Sequence, residues 1–535
     1  MVQNLGSEAL PTQNKSNDIY STTIQNPLLK IDDKDIEIVQ TYTFLGMMFD
    51  SRLTWKPHLD NIVTKCNKRL NVLKCIVGSD WGSDTQSLLL LFRTLIRPIL
   101  DYGCEVYDSA KTALKTKLDS IQFQALKICT GTTFYTSLAS LQVECGEMPL
   151  TIRRKMLSSK HRIKLESLPP NHPIREPISS CWQYNLLDFK GEIPFLMRTI
   201  CPPGEVEPHL SSKPPEVPPW HMPAPKVEMD LHEEIEKKHT LPPIMYALSI
   251  DIIYGKWGSY VHIYTDGSKD QNDNTGAAVY IPKFNVKFAK KLSPVSIFRA
   301  EQIAIIMALE LIKQYNIKHS VIFCDSLSVL CDLNALNQSR KTNEIRQLLH
   351  QLHELTLEVS FEWIPSHCGI TGNEIVDGLA KSALSQGNEI NIPLNRTEMN
   401  NIVFKLSMEN WQNEWENSER GRFLFHIQPT IKPTFQSHLS CRRDENIIHR
   451  LRIGSCLLNE TLFKLRKHES GKCSHCDVPE TVPHFLLECS IHNDHRRELQ
   501  NNLRIDNLGL IDILSHTDQR QVIHYVKQTG KYNVL

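Results

Sequence analysis

The chain has 535 residues, with 60 Lys/Arg balanced by 60 Asp/Glu. At roughly 100–200 residues per domain, this length corresponds to about three domains. An apolar content of 41% and a charged content of 22% exclude a wholly disordered chain, because enough apolar surface is present to build cores. Charge is spread unevenly. Residues 52–164 carry 18 Lys/Arg against 9 Asp/Glu, and residues 420–467 carry 10 against 3. Two basic stretches around a near-neutral middle favour a polyanionic partner such as nucleic acid. The 15 cysteines follow no regular spacing, which fits thiols or metal ligands in a reducing compartment rather than a disulfide framework. The expected location is therefore intracellular, nuclear or cytoplasmic. The first twenty residues have no apolar leader. The most apolar run, Leu88 to Leu100, is interrupted by Arg93, Arg97 and Pro98 and falls short of the ~20 residues of a membrane span. It reads as a buried helix, and no membrane contact is expected.

In chain order, residues 1–37 are polar and read as a flexible N-terminus, and residues 38–165 read as mostly helical. Within them, SDTQSLLLLFRTLIRPILDYG offers an N-cap at Ser83 or Asp84 and a stop near Gly103, and a second helix is predicted over Ala110–Gly131. Residues 166–257 form a linker region, with nine prolines between 202 and 225, a density that sustains neither helix nor sheet. From 258 to 388 the pattern changes. VHIYTD is a strand ending in a carboxylate, and GAAVYIP and VKFAKKL follow as short strands. RAEQIAIIMALELIKQYN is an amphipathic helix. SVIFCDS is another strand ending in a carboxylate. A polar helical stretch, the strand VSFEWIP, a Gly-rich loop and a helix from about Asn373 to Leu384 complete an α/β order. Residues 395–500 are helical and end in a Cys/His cluster, and 501–535 read as a C-terminal tail.

Four acids stand at informative places. Asp266 and Asp325 end strands, Glu301 opens the long helix, and Asp377 lies in the last helix of the α/β region. Carboxylates gathered at strand ends repel one another unless cations neutralise them. Hard oxygen donors in that number suit Mg²⁺ or Mn²⁺. Two such ions about 3.5–4 Å apart can serve phosphodiester hydrolysis.

The neighbours of these acids carry a resemblance. YTDGS, then RAE, then CDS, then WIPSHCGITGNEIVDGLAK resemble type 1 ribonuclease H in the form found in non-LTR retrotransposons, in the right order over about residues 258–388. The resemblance implies a three-layer α/β fold with a five-stranded mixed sheet. It implies Asp266, Glu301, Asp325 and Asp377 as ligands of two Mg²⁺ or Mn²⁺ ions, and His367, on the loop PSHCGITG, as a group assisting proton transfer or product release. It implies cleavage of the RNA strand of RNA–DNA hybrids, leaving 5′-phosphates. Val376 stands where the family commonly has alanine. Recognition of this kind rests on the 2′-hydroxyl and backbone shape, with weak sequence preference.

The flanks resemble other parts of the same elements. YTFLGMMFDSRLTWKPHL and the segments after it, to about residue 165, are similar to the region leading into the thumb of a non-LTR reverse transcriptase. No aromatic-x-Asp-Asp motif occurs in the chain, so the fingers and palm would lie before residue 1, and a separate reverse transcriptase is an expected partner. Downstream, Cys473, Cys476, His484 and Cys489 follow a C-x2-C-x7-H-x4-C spacing, which can close a tetrahedral Zn²⁺ site. His475, His492 and His495 compete as ligands. The cluster resembles the zinc-knuckle-like motif of those retroelements. The function expected is a metal-dependent endonuclease on RNA–DNA hybrids; the alternative is a non-catalytic nucleic-acid-binding relic.

Overall fold

The computed structural model describes residues 30–32, 34–78, 80–168, 172–174, 221–234, 240–335, 344–385, 389–390, 392–432 and 441–535, with isolated residues at 15–16, 199, 218 and 439. Most of the expected flexible N-terminus, and the proline-dense stretch through residue 217, lie outside the described residues. The chain forms two compact units. One combines residues 1–162, 181–201 and 402–535, and the other residues 163–180 and 202–401.

The second unit contains the α/β region. Its strands are β1 (Lys226–Glu228), β2 (Val261–Lys269), β3 (Thr275–Ile281), β4 (Val286–Leu292), β5 (His319–Cys324), β6 (Glu358–Trp363) and β7 (Glu389–Ile390). The helices are α1 (Pro242–Asp251), α2 (Ile297–Gln314), α3 (Leu327–Ala335), α4 (Glu344–Glu354) and α5 (Thr371–Ala383). The sheet order is β7-β4-β3-β2-β5-β6-β1. β2, β3 and β4 form an antiparallel meander, and β5, β6 and β1 continue it in parallel from β2. Helices α2 and α5 both pack on β2 and β3 and cover opposite faces. This makes the three layers, and it explains why β2 and β3 are apolar on both sides.

The sheet has seven strands rather than the expected five. The two additions are short edge strands, β7 on β4 and β1 on β6. β1 comes from the range read as linker; Lys226 on it pairs with Glu358, and Glu228 lies 3.4 Å from Lys256 Nζ. The fully buried carboxylate of Glu362 on β6 accepts hydrogen bonds from Lys256 Nζ at 3.1 Å and Trp257 Nε1 at 2.8 Å. A buried carboxylate needs such partners, and they come from the segment just before β2. Val376, the departure from alanine, is fully buried on α5 and packs in the core with Tyr264 and Ile364.

The first unit is mostly helical, but a hairpin, Thr41–Phe44 against Met47–Asp50, precedes its first helix. Its two-residue turn has Leu45 at φ 47° and Gly46 at φ 78°, positive angles of the kind that match the twist of paired strands. A helix over Lys56–Cys75 follows. Asp84 is the N-cap of the apolar helix, accepting from the Ser87 N–H at 2.8 Å. The helix widens to π turns at Phe92–Ile96 before resuming at Arg97. Pro98, with no N–H to donate and a ring that crowds a regular turn, accounts for the irregularity. The predicted Ala110–Gly131 helix spans Thr112–Thr130 and ends at Gly131 with φ 60°, the left-handed cap that glycine favours.

Buried polar contacts join the N-terminal and C-terminal helical segments of this unit. Thr85 donates from its N–H and Oγ1 to Glu445 Oε2 at 2.8 and 2.9 Å. Arg442 donates to the carbonyls of Cys129 and Ile128 at 2.6 and 2.7 Å. Glu144 accepts from Arg452 at 2.9 Å and lies 2.8 Å from His449 Nδ1. Burial raises the Glu144 pKa, but Arg452 and His449 outweigh it and hold the group at about 2. Many arginines of the two basic stretches are therefore turned inward. Arg93 and Arg97 meet Glu147, and Arg153 and Arg154 meet Asp101 and Asp108. Residues 501–535, read as a tail, supply Leu503, Ile513, Val522, Tyr525, Val526 and Leu535 to a core shared with Ile447, Leu451 and Phe485.

Candidate functional site

The sheet register assembles the acids. Thr265 of β2 lies opposite Cys324 of β5, so Asp266 and Asp325, the next residue on each strand path, sit side by side. Glu301 arrives from α2, whose N-cap Ser296 accepts from the Arg299 N–H. The helix start passes very close to β2. A Cβ at Gly267 would lie 2.6 Å from the Glu301 backbone N, so the missing side chain in YTDGS is what lets a helix carboxylate meet a strand carboxylate. Ligand atoms of Asp266, Glu301 and Asp325 all lie within 4.8 Å of one another.

Asp377 belongs to a second grouping on α5 and the loop before it. It lies with His367 and Glu374, again within 4.8 Å, and pairs with Lys381 at 2.6 Å, one turn along α5. Its charge still reaches Asp266. Burial raises the Asp266 pKa first, and the carboxylates of Asp325 and Asp377 add to it, while Lys381 opposes them; the group is pushed up to about 8. Glu301 is pushed well up, by burial and then by Asp266 and Asp325. Its Oε2 is buried and has no hydrogen-bond partner among the described residues. Three crowded carboxylates with an orphaned oxygen form a donor set with the chemistry of a hard divalent cation site.

The surroundings position Asp325. Its Oδ2 accepts from Asn373 Nδ2 at 3.3 Å, and its backbone carbonyl accepts from Trp363 Nε1 at 3.2 Å. His367 is exposed and has φ 53°, a left-handed conformation that histidine adopts more readily than most non-glycine residues. Asn373 and Glu374 stood in the sequence only as part of the GNEIVDGLAK segment, and Lys381 was missed. The i, i+4 spacing of Asp377 and Lys381 on a helix is the signal that could have found it.

Raised acid pKa values have a consequence for stability. Between the ordinary aspartate value near 3.8 and the folded value near 8, the folded state holds more protons than the unfolded one. Stability in Mg²⁺-free buffer is therefore expected to fall as pH rises across that window. Melting curves from pH 4 to pH 8 check this, and added Mg²⁺ should raise the melting temperature most at the upper end. A flat profile, insensitive to Mg²⁺, would contradict the electrostatic crowding.

The Cys/His cluster assembles as a second centre, in the helical unit. Ligand atoms of Cys473, Cys476, His484 and Cys489 lie within 4.8 Å of one another. The Cys489 sulfur is 3.9 Å from that of Cys473 and 3.8 Å from that of Cys476. Tetrahedral Zn–S bonds of about 2.3 Å imply sulfur separations of about 3.8 Å. Both ring nitrogens of the buried His484 lack a hydrogen-bond partner among the described residues. Of the competing histidines, His492 is instead packed against Phe485 and Tyr525, and neither His475 nor His495 joins the cluster.

Comparison with known proteins agrees with the sheet. The RNase H family model matches residues 258–385. The chain is 24% identical over 140 residues to a putative 115 kDa protein in type-1 retrotransposable element R1DM of Drosophila melanogaster, covering 26% of this chain and 14% of that protein. It is 31% identical over 151 residues to the Pol polyprotein of equine infectious anemia virus (strain Wyoming), covering 26% and 12%. It is 32% identical over 102 residues to a retrovirus-related Pol polyprotein from type-1 retrotransposable element R1 4 of Nasonia vitripennis, covering 18% and 25%. The match thus spans a quarter or less of each of these relatives. Among the described residues, no helix is long and apolar enough to cross a membrane. Sheet order and family match together mean that this retrotransposon-related chain carries a ribonuclease H domain at residues 258–385.

Proposed function

We propose that the domain hydrolyses the RNA strand of RNA–DNA hybrids, with Asp266, Glu301 and Asp325 holding divalent cations and Asp377 completing the site. The observation that carries this reading is the convergence of three carboxylates, two of them buried and one with an orphaned oxygen, from within β2, from the residue just past β5 and from the first turns of α2. When bound, Mg²⁺ or Mn²⁺ ions lower the pKa of water and stabilise charge on the transferring phosphate. The protein's part is to hold these acids together and in register, where bound cations would neutralise their mutual repulsion. Asn373 and Trp363 orient Asp325, and Lys381 pairs with Asp377. Scission of the bond to the 3′ oxygen leaves a 5′-phosphate and a 3′-hydroxyl. Hydrolysis of a labelled hybrid, with and without Mg²⁺, tests the proposal; no cleavage in Mg²⁺ or Mn²⁺ would favour the relic reading instead. The complete set of acids speaks against a relic.

His367 serves proton transfer or product release. It is exposed, on the loop before α5, within reach of Glu374 and Asp377. His367→Ala is expected to slow hydrolysis less than loss of any of the acids, because water can replace a proton carrier in part. Single-turnover rates for His367→Ala and Asp266→Asn compare the two; equal loss would mean that the roles are misassigned.

The rest of the chain supports a role on nucleic acid. We assign residues 38–165 to a thumb-like helical segment that works with a reverse transcriptase supplied elsewhere, and the Cys/His cluster to a structural Zn²⁺ site. Four protein donors leave no open position for chemistry.

A further inference from the structure

The helical unit contains an open cleft of about 780 Å³, within the range of roughly 300–1,000 Å³ typical of ligand clefts. On its lining, in the connection between helices Thr112–Thr130 and Leu138–Cys145, stand Phe134 and Tyr135, 65% and 57% exposed. Their rings are 4.0 Å apart and tilted by 37°. Two large aromatic side chains stacked on each other in solvent contribute little to any core. A second cleft adjoins through Lys464, which lines both, and adds Phe463, 51% exposed, with Arg466 and Lys467. The two linings together carry five Lys/Arg against three Asp/Glu. Glu460 is paired with Lys464 at 2.7 Å. Arg420, Arg466 and Lys467 are exposed and have no carboxylate partner among the described residues. This contrasts with Arg442, Arg450 and Arg452 of the same basic stretch, which donate to backbone or carboxylate groups inside the unit.

We infer that this double cleft binds single-stranded nucleic acid with little sequence preference. Exposed rings beside free cations supply both halves of that recognition: every base has a face to stack, and the phosphates follow the positive charge. A duplex keeps its base faces inside its own stack, so the aromatic half discriminates single strands from double. An apolar protein partner would cover the rings but leave the three cations without anions. The acidic centre of the other unit takes no part, and the inference does not depend on whether that centre cleaves.

Fluorescence anisotropy on the full chain with an oligothymidylate of about 12 nucleotides, within the known range of single-strand site sizes, tests this. Phe134→Ala combined with Tyr135→Ala should weaken binding tenfold or more, as loss of base stacking does. Tyr135→Phe, which keeps the ring face, should retain parental affinity. Arg466→Gln combined with Lys467→Gln should reduce the slope of log affinity against log salt by roughly 1.4, at about 0.7 per charge for single strands. Cleavage of a blunt hybrid should be the same in all of these variants. Unchanged oligothymidylate binding in the double-alanine variant at parental melting temperature would overturn the inference. So would an unchanged salt slope in the charge variant, whose side chains are exposed and not needed for folding, or an equal loss of affinity for blunt duplex DNA.

Discussion

Asp266→Asn is expected to lower hybrid hydrolysis by at least about 10²-fold, the scale of removing one preorganised electrostatic stabiliser, while raising the stability of the metal-free protein. Both effects come from one cause. Asp266 is buried between Asp325 and Asp377, and its pKa is pushed up to about 8. In the parent, ionising this group adds like charge to a site already holding the carboxylates of Asp325 and Asp377. An amide of the same shape removes that repulsion and also removes a donor the cations need. The amide should raise the melting temperature in Mg²⁺-free buffer near pH 8 by several degrees, with little change near pH 4, where the parent aspartate is already protonated. It should also abolish the stabilisation by Mg²⁺. Calorimetry at the two pH values, alongside single-turnover cleavage, checks the pair of effects. A variant that is as active as the parent, or that is no more stable at pH 8, would remove Asp266 from the site.

The other large effect concerns zinc. Metal analysis of the purified chain should find one Zn²⁺, and Cys473→Ser should lose it. Structural zinc sites in small peptides bind with roughly 10–16 kcal/mol of apparent free energy, so the local loss is expected to be severe. The C-terminal helices, however, have their own apolar core of Ile447, Leu451, Leu499, Val522 and Val526. The expectation is therefore graded. Hydrogen exchange should become fast across residues 471–492, where the Cys473 N–H to Val478 carbonyl bond and the Lys472–Pro479 bridge close the turn. The helices Arg442–Ile453 and Gln519–Gln528 should stay protected but melt at a lower temperature. Hybrid cleavage should persist, since the acidic centre lies in the other unit. Absence of zinc, or unchanged exchange in the serine variant, would leave the cluster as ordinary thiols.

What the sequence determined by itself was the chemistry and its order along the chain. YTDGS, RAE, CDS and the PSHCGITGNEIVD loop carry residue types that few folds use together, and the strand and helix periodicities around them were sufficient to set the order of the elements. The Cys/His spacing was legible for the same reason: ligation depends on residue type and short separations, both visible in a linear string. Tertiary structure decided what depends on distant partners. Whether Asp377 joins the other three acids or the His367 grouping turns on how α5 lies on the sheet. The docking of β1 follows from Lys226–Glu228 pairing with Ser360–Glu362 and from Lys226 meeting Glu358, more than a hundred positions apart. Net charge marked two basic stretches, but pairing inside the fold turns Arg93, Arg97, Arg153, Arg154, Arg442 and Arg452 inward. The free cations that remain stand beside Phe134, Tyr135 and Phe463 only because residues 134–135 and 463–467 are brought to adjoining clefts. A charge count cannot separate a buried ion pair from an exposed cation, because the two differ only in what the fold places next to them.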